Sequence, residues 1–203
     1  MDTKFQRDSS GSLPIELFER QQDWALWLKA NHETSSGVWL QLAKKGTKKG
    51  TDIQSVSYEE AVETALCFGW IDGQKKAHSD EYWLQKFTSR SPKSIWSKIN
   101  RDKALALVKA GKMKPAGLNE IERAKRDGRW EAAYDSPSKA VVPGDFQAAL
   151  DSNARAKAFF GTLDSRNRYA VLFRIQTVKK AETRAKRISQ FVQMLERHEK
   201  VHP

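Results

Sequence analysis

A chain of 203 residues, 39% hydrophobic and 30% charged, is long enough for one sizeable core, or for a smaller core with a helical appendage. It contains no apolar run near the ~20 residues of a membrane span, and its start, MDTKFQRDSSGS, lacks the apolar segment of a secretory signal. A single cysteine, Cys67, excludes an internal disulfide framework and fits a reducing compartment, so a cytoplasmic protein is expected. The net charge of +11 is segregated. Residues 86–114 hold nine Lys or Arg against one acid and residues 152–203 hold twelve against four, while the remaining segments are slightly acidic. Positive charge gathered this way attracts polyanions: an acidic protein, nucleic acid or an anionic surface.

Residues 1–12 are expected to be a disordered lead-in. Leu13–Phe18 reads as a short strand. Trp24, Trp27 and Leu28, at i, i+3 and i+4, make 20–30 an amphipathic helix. Gly37–Ala43 alternates as a half-buried strand does, and 44–52, rich in Gly and Lys, reads as an exposed turn. Ser57 and Glu60 have capping-box spacing for a helix that Gly69 would close. Trp70–Lys76 and Glu81–Thr88 form an expected antiparallel hairpin, with Trp83, Gln85 and Phe87 on one face and Leu84 and Lys86 on the other. Ser94–Lys109 reads as a basic helix broken by MKPAG, and Leu118–Arg126 as a short one. After a Pro-, Ser- and Asp-rich loop, helices are expected over 146–150, 154–163, 166–178 and 183–197. The fold class is therefore α+β: a mostly antiparallel N-terminal sheet with covering helices over 13–114, a connecting helix and loop over 115–142, and an all-helical basic region over 143–203.

The chemistry-bearing residues concentrate between Cys67 and Asn100. Trp70, Trp83 and Trp96 lie thirteen residues apart, and Arg90 and Lys93 sit among hydroxyls between the last two. Such rings can stack on planar groups while the cations hold phosphate; equally, they can be core. Thr88, Arg90, Lys93 and Ser94, at an expected helix start, suit an anion, although Ser94 can simply cap the helix. Asp72 is the one acid in an apolar strand segment, either a ligand-binding group or a structural partner. In the C-terminal basic set, which includes Arg166 and Arg174, Arg168, Arg184, Lys186 and Arg187 are the candidate polyanion contacts. A charge run of this kind also serves as a solvated helix face. The histidines show no metal-ligand spacing, Cys67 has no activating base in view, and no cofactor motif is present, so an enzyme is not expected.

Several strings together, FGWIDGQ, the YWLQKFT–R–PKS–WSKIN run, MKPAG, DGRWEAAYDSPS and the RNRY…TR–KRI ending, resemble the YdeI/OmpD-associated, bacteriocin-protection family, from about Leu13 to the C-terminus. The resemblance implies a non-enzymatic role in tolerance of bacteriocins, antimicrobial peptides or envelope stress through binding a partner. It supplies no catalytic residue. Non-specific nucleic-acid binding is the alternative, and a small-molecule enzyme with its pocket near Asp72, Arg90 and Trp96 the least favoured. At fold level the N-terminal part is similar to the YjbR/CyaY-like group.

Overall fold

The computed structural model describes residues 6–7, 13–44 and 54–203. The chain divides into two compact units, one comprising 1–94 and 100–130 and the other 95–99 and 131–203. The expected lead-in lies outside the described residues except for Gln6–Arg7, which form strand β1; the expected turn at 44–52 lies outside them except for Lys44.

In the first unit β1 pairs with β2 (Pro14–Glu16), β2 runs parallel to β3 (Val38–Ala43), and β4 (Trp70–Ala77) and β5 (Tyr82–Ser89) form the hairpin. The sheet order is β1-β2-β3-β5-β4, antiparallel at every pairing but one. Register confirms the alternation read from β5. Phe87, Gln85 and Trp83 face the same side as Val38, Leu40 and Leu42, and Lys86 and Leu84 oppose Trp39 and Gln41. The first side is covered by helices α1 (Gln21–Asn31) and α2 (Tyr58–Cys67). Trp24 of α1 packs 5.6 Å from Phe87 and stacks on Trp27, and its indole N–H donates to the Ala61 carbonyl of α2. On the other side, Leu13, Ile15, Trp39 and Leu84 make a small apolar cluster, with the Lys76 ammonium 4.2 Å over the Trp39 ring.

The capping box of α2 forms as expected: the Glu60 N–H donates to Ser57 Oγ and the Ser57 N–H to the Glu60 carboxylate. Gly69 follows at φ +72°, the left-handed geometry that lets the chain turn from α2 into β4. MKPAG opens a helix rather than merely breaking one, because Pro115 occupies the first turn of α4 (Pro115–Arg126), where its missing N–H costs nothing. Gly117 then lets α4 lie against the end of α2; a Cβ there would come within 2.5 and 2.6 Å of the Cys67 and Leu66 carbonyls. This contact is why α4 belongs to the first unit and the division falls after Trp130, not at the 142/143 boundary expected from loop composition.

Glu16 is the misfit of this unit. Its side chain is buried beside Leu40, one carboxylate oxygen has no hydrogen-bond partner among the described residues, and burial pushes its pKa upward. A carboxyl with a raised folded pKa binds protons more readily folded than unfolded, so its cost is fully present above the folded pKa and fades as pH falls. Glu16→Met should therefore stabilise the protein by about 1–3 kcal/mol at neutral pH, with a smaller gain near pH 4, measured by urea unfolding at both values. An equal gain at both would contradict this account of the buried charge.

The second unit is helical, as expected: α5 (Gly144–Asp151), α6 (Ala154–Thr162), α7 (Ser165–Gln176) and α8 (Ala181–Glu196). Asn153 and Asp164 cap α6 and α7 by accepting from the Ala156 and Asn167 N–H groups. Phe146, Leu150, Phe160, Val171, Ile175, Phe191 and Leu195 form its core. Residues 95–99 join this unit because Ser97 bridges to Tyr134 and the Lys98 ammonium meets Asp135 at 2.7 Å. The expected helix at 94–109 accordingly starts later: α3 spans Lys98–Lys109, the chain before it being held extended against Tyr134.

Candidate functional site

The mid-chain residues do not assemble into an open platform. Trp70 is 0% exposed; its ring edges meet Trp24 and Trp27, and its N–H donates to the His32 carbonyl at 3.0 Å. Trp96 is 2% exposed, within the second unit. Neither ring offers a face to a ligand, so both readings as stacking groups are corrected: each indole is core. Arg90 is 4% exposed and lies beside α4 in a partly buried cluster of charges. There Glu120 is paired with Arg123, the Arg123 guanidinium donates to the Arg90 carbonyl, and Arg129 donates to Asp127 and to the Ser94 carbonyl. Burial pushes the Glu120 carboxyl upward against the pull of the Arg123, Arg90 and Arg129 charges. Arg90 therefore serves the interior rather than a solvent anion.

Ser94 is no helix cap. It closes a turn over Pro92, its hydroxyl accepting from the Ser91 N–H, and α3 begins only at Lys98, so the expected anion site at a helix start is not formed. Lys93 is exposed on that turn, and Thr88 is half-buried opposite Ile71. Asp72 accepts from the Tyr58 hydroxyl at 2.8 Å, and Trp83 packs against Tyr58 with the Lys75 ammonium 4.2 Å over its ring. Of the mid-chain set, Asp72 and Trp83 meet at Tyr58, the first residue of α2, while Arg90 and the Ser94 carbonyl fall among the arginines beside α4. Burial pushes the Cys67 thiol upward, away from a reactive thiolate.

The C-terminal set separates just as sharply. Arg184 is engaged internally: it makes a two-point ion pair with Asp145 at 2.6 and 2.9 Å and donates to the Ile175 carbonyl, fastening α8 to α5 and α7. Arg168 lies 4.4 Å over the Phe160 ring. Lys186 is exposed and Arg187 half-buried on α8. As a polyanion contact Arg184 is corrected, since its charge is spent on Asp145.

What the structure brings together is one face of α7. Arg166, Tyr169, Ala170, Phe173 and Arg174, at i, i+3, i+4, i+7 and i+8, line a cavity of about 580 Å³ whose rim includes His202. Each residue of the RNRY string has a separate task. Arg166 lines the cavity. Asn167 is buried, and its carbonyl oxygen accepts the His202 N–H at 2.8 Å, seating the end of the chain at the rim. Arg168 turns to Phe160. Tyr169 donates its hydroxyl to the Asp135 carbonyl, and burial pushes that phenol up to about 12, so it stays neutral. Phe173 meets Tyr134 edge-on at 4.9 Å, and Arg174 donates to the Ala170 carbonyl, which fixes its head one turn back along the helix. No carboxylate is among the lining residues. Arg166 is exposed and forms no hydrogen bond or salt bridge among the described residues, although its charge reaches the Asp164 carboxylate that caps α7. Helical spacing is the signal for this face, and grouping the basic residues into one run hides it.

A mostly antiparallel sheet covered by helices on one side, with a second unit of four helices, defines an α+β protein. Residues 16–120, more than half the chain, match the family described as Domain of unknown function (DUF8412), and the chain belongs to that family. Residues 139–198 match the family described as Bacteriocin-protection, YdeI or OmpD-Associated. That resemblance therefore covers the helical unit rather than the span from Leu13 onward, and the expected YjbR/CyaY-like kinship of the N-terminal part finds no support. Neither a curated protein nor a solved structure matches the chain. No helix among the described residues is long and apolar enough to cross a membrane.

Proposed function

We propose that this protein contributes to bacteriocin protection by binding an acidic partner protein without catalysing a reaction, and that the α7 cavity of the helical unit is where the partner is held. The observation that carries this reading is the lining itself. Two arginines and a histidine surround an aromatic floor with no carboxylate among them, an arrangement that favours an anionic group carried on an apolar body. The match of residues 139–198 to the bacteriocin-protection family covers the whole of α7. The buried, free Cys67 thiol is in keeping with a cytoplasmic setting. Non-specific nucleic-acid binding is the weaker reading, because Arg184 and Arg168 are already engaged within the unit.

Deleting the gene should sensitise the host bacterium to bacteriocins or other membrane-active peptides. Restoring the gene should recover tolerance, whereas the Arg166→Ala/Arg174→Ala form, expressed at equal level, should not. Killing curves unchanged by the deletion, or full recovery by the double variant, would defeat the proposal.

A further inference from the structure

Arg166 and Arg174 stand two helical turns apart. Eight residues of α7 rise about 12 Å, and side chains on a helix lean toward its N-terminus, so the offset of the two Cα atoms is carried over to the heads. The bond from Arg174 to the Ala170 carbonyl shows that lean directly. Between the two cations lie the Tyr169 and Phe173 rings and the small Ala170, which leaves the floor open. The cavity is thus cationic at each end and apolar in the middle.

An extended peptide presents the complementary pattern. Residues i, i+2 and i+4 of a strand point to one side, and i to i+4 spans about 13 Å. We infer that the cavity recognises an extended acidic segment of the form acid-x-apolar-x-acid, one carboxylate on Arg166, the other on Arg174, and the apolar side chain between them on the Tyr169–Phe173 floor. The inference rests on the proposed binding of an acidic partner and specifies which part of that partner is read. Arg suits both ends because its planar fork takes a carboxylate at two points, and the aromatic floor selects against a run of acids with no apolar residue between them.

The full-length protein is titrated, by fluorescence anisotropy at low salt, with a labelled peptide containing Glu-Ser-Leu-Ser-Glu between Gly-Ser flanks. A peptide of identical composition with the two Glu adjacent is titrated in parallel. The spaced peptide should bind more tightly by about tenfold or more, the worth of one charge-assisted pair in a partly desolvated site. Arg166→Ala should reduce the spaced peptide to the level of the adjacent one. Arg174→Gln, which keeps a donor for the Ala170 carbonyl and so preserves the helix, should do the same. Equal affinity for the two peptides with both arginines required would overturn the spacing rule while leaving an acidic partner in place. Binding of neither peptide also overturns the rule, and the acidic-partner reading is then decided by the tolerance assay alone. Tighter binding of a single-stranded oligonucleotide than of the spaced peptide would overturn both.

Discussion

Trp70→Ala is expected to destabilise the first unit by about 3–5 kcal/mol, the range for removing a fully buried Trp. The indole has no solvent-exposed surface, packs edge-on to Trp27 at 5.8 Å and Trp24 at 6.4 Å, and satisfies the His32 carbonyl at the end of α1. Truncation would leave a cavity at the junction of α1 and β4 and an unsatisfied acceptor beside it. Trp83→Ala, at the half-buried edge beside Tyr58, should cost about 1 kcal/mol or less. Six of the seven tryptophans lie in the first unit, so indole fluorescence during urea unfolding reports this difference directly. Similar losses for the two variants would show that the indoles are not divided between core and surface as described.

Glu120→Ala should be comparably severe, about 3–5 kcal/mol, because it removes the acid that faces several interior cations. Glu120 is ion-paired to Arg123 and feels the charges of Arg90 and Arg129, which are 4% and 5% exposed. Without it those guanidinium groups remain buried with less countercharge. Glu122→Ala is the control: the Glu122 side chain is 62% exposed and pairs only with the exposed Lys125 on the same helix, so the cost should be about 1 kcal/mol or less. If the two variants lower the unfolding midpoint equally, the cluster is held by packing rather than by Glu120.

Local structure was legible in the residues because its causes are local. The Ser57–Glu60 box, the turn at Gly69, the two faces of β5 and the four C-terminal helices follow from spacing over a few positions. What spacing over a few positions cannot reveal is which side chain finds a partner far along the chain. Arg90 is buried because α4 brings Glu120 and Arg123 to it from thirty residues away, and Arg184 is engaged because Asp145 lies across the helix bundle. In sequence both are simply basic residues in basic segments. Trp70 and Trp96 show the same limit, since an indole suits an interior and a binding surface equally well. The α7 face, by contrast, was present in the sequence as Arg166, Tyr169, Phe173 and Arg174 at helical intervals. Counting positive charge along the segment concealed it, because Arg168 and Arg184 belong to other faces with other duties.

The most direct test of the α7 cavity as the working surface is a heteronuclear NMR titration of the isotope-labelled full chain with the spaced acidic peptide. Amide and side-chain shifts should concentrate at Arg166, Tyr169, Ala170, Phe173, Arg174 and His202 and saturate together. Shifts confined to Lys186 and Arg187 on α8, or to the Tyr58–Trp83 edge of the sheet, with α7 silent, would contradict it.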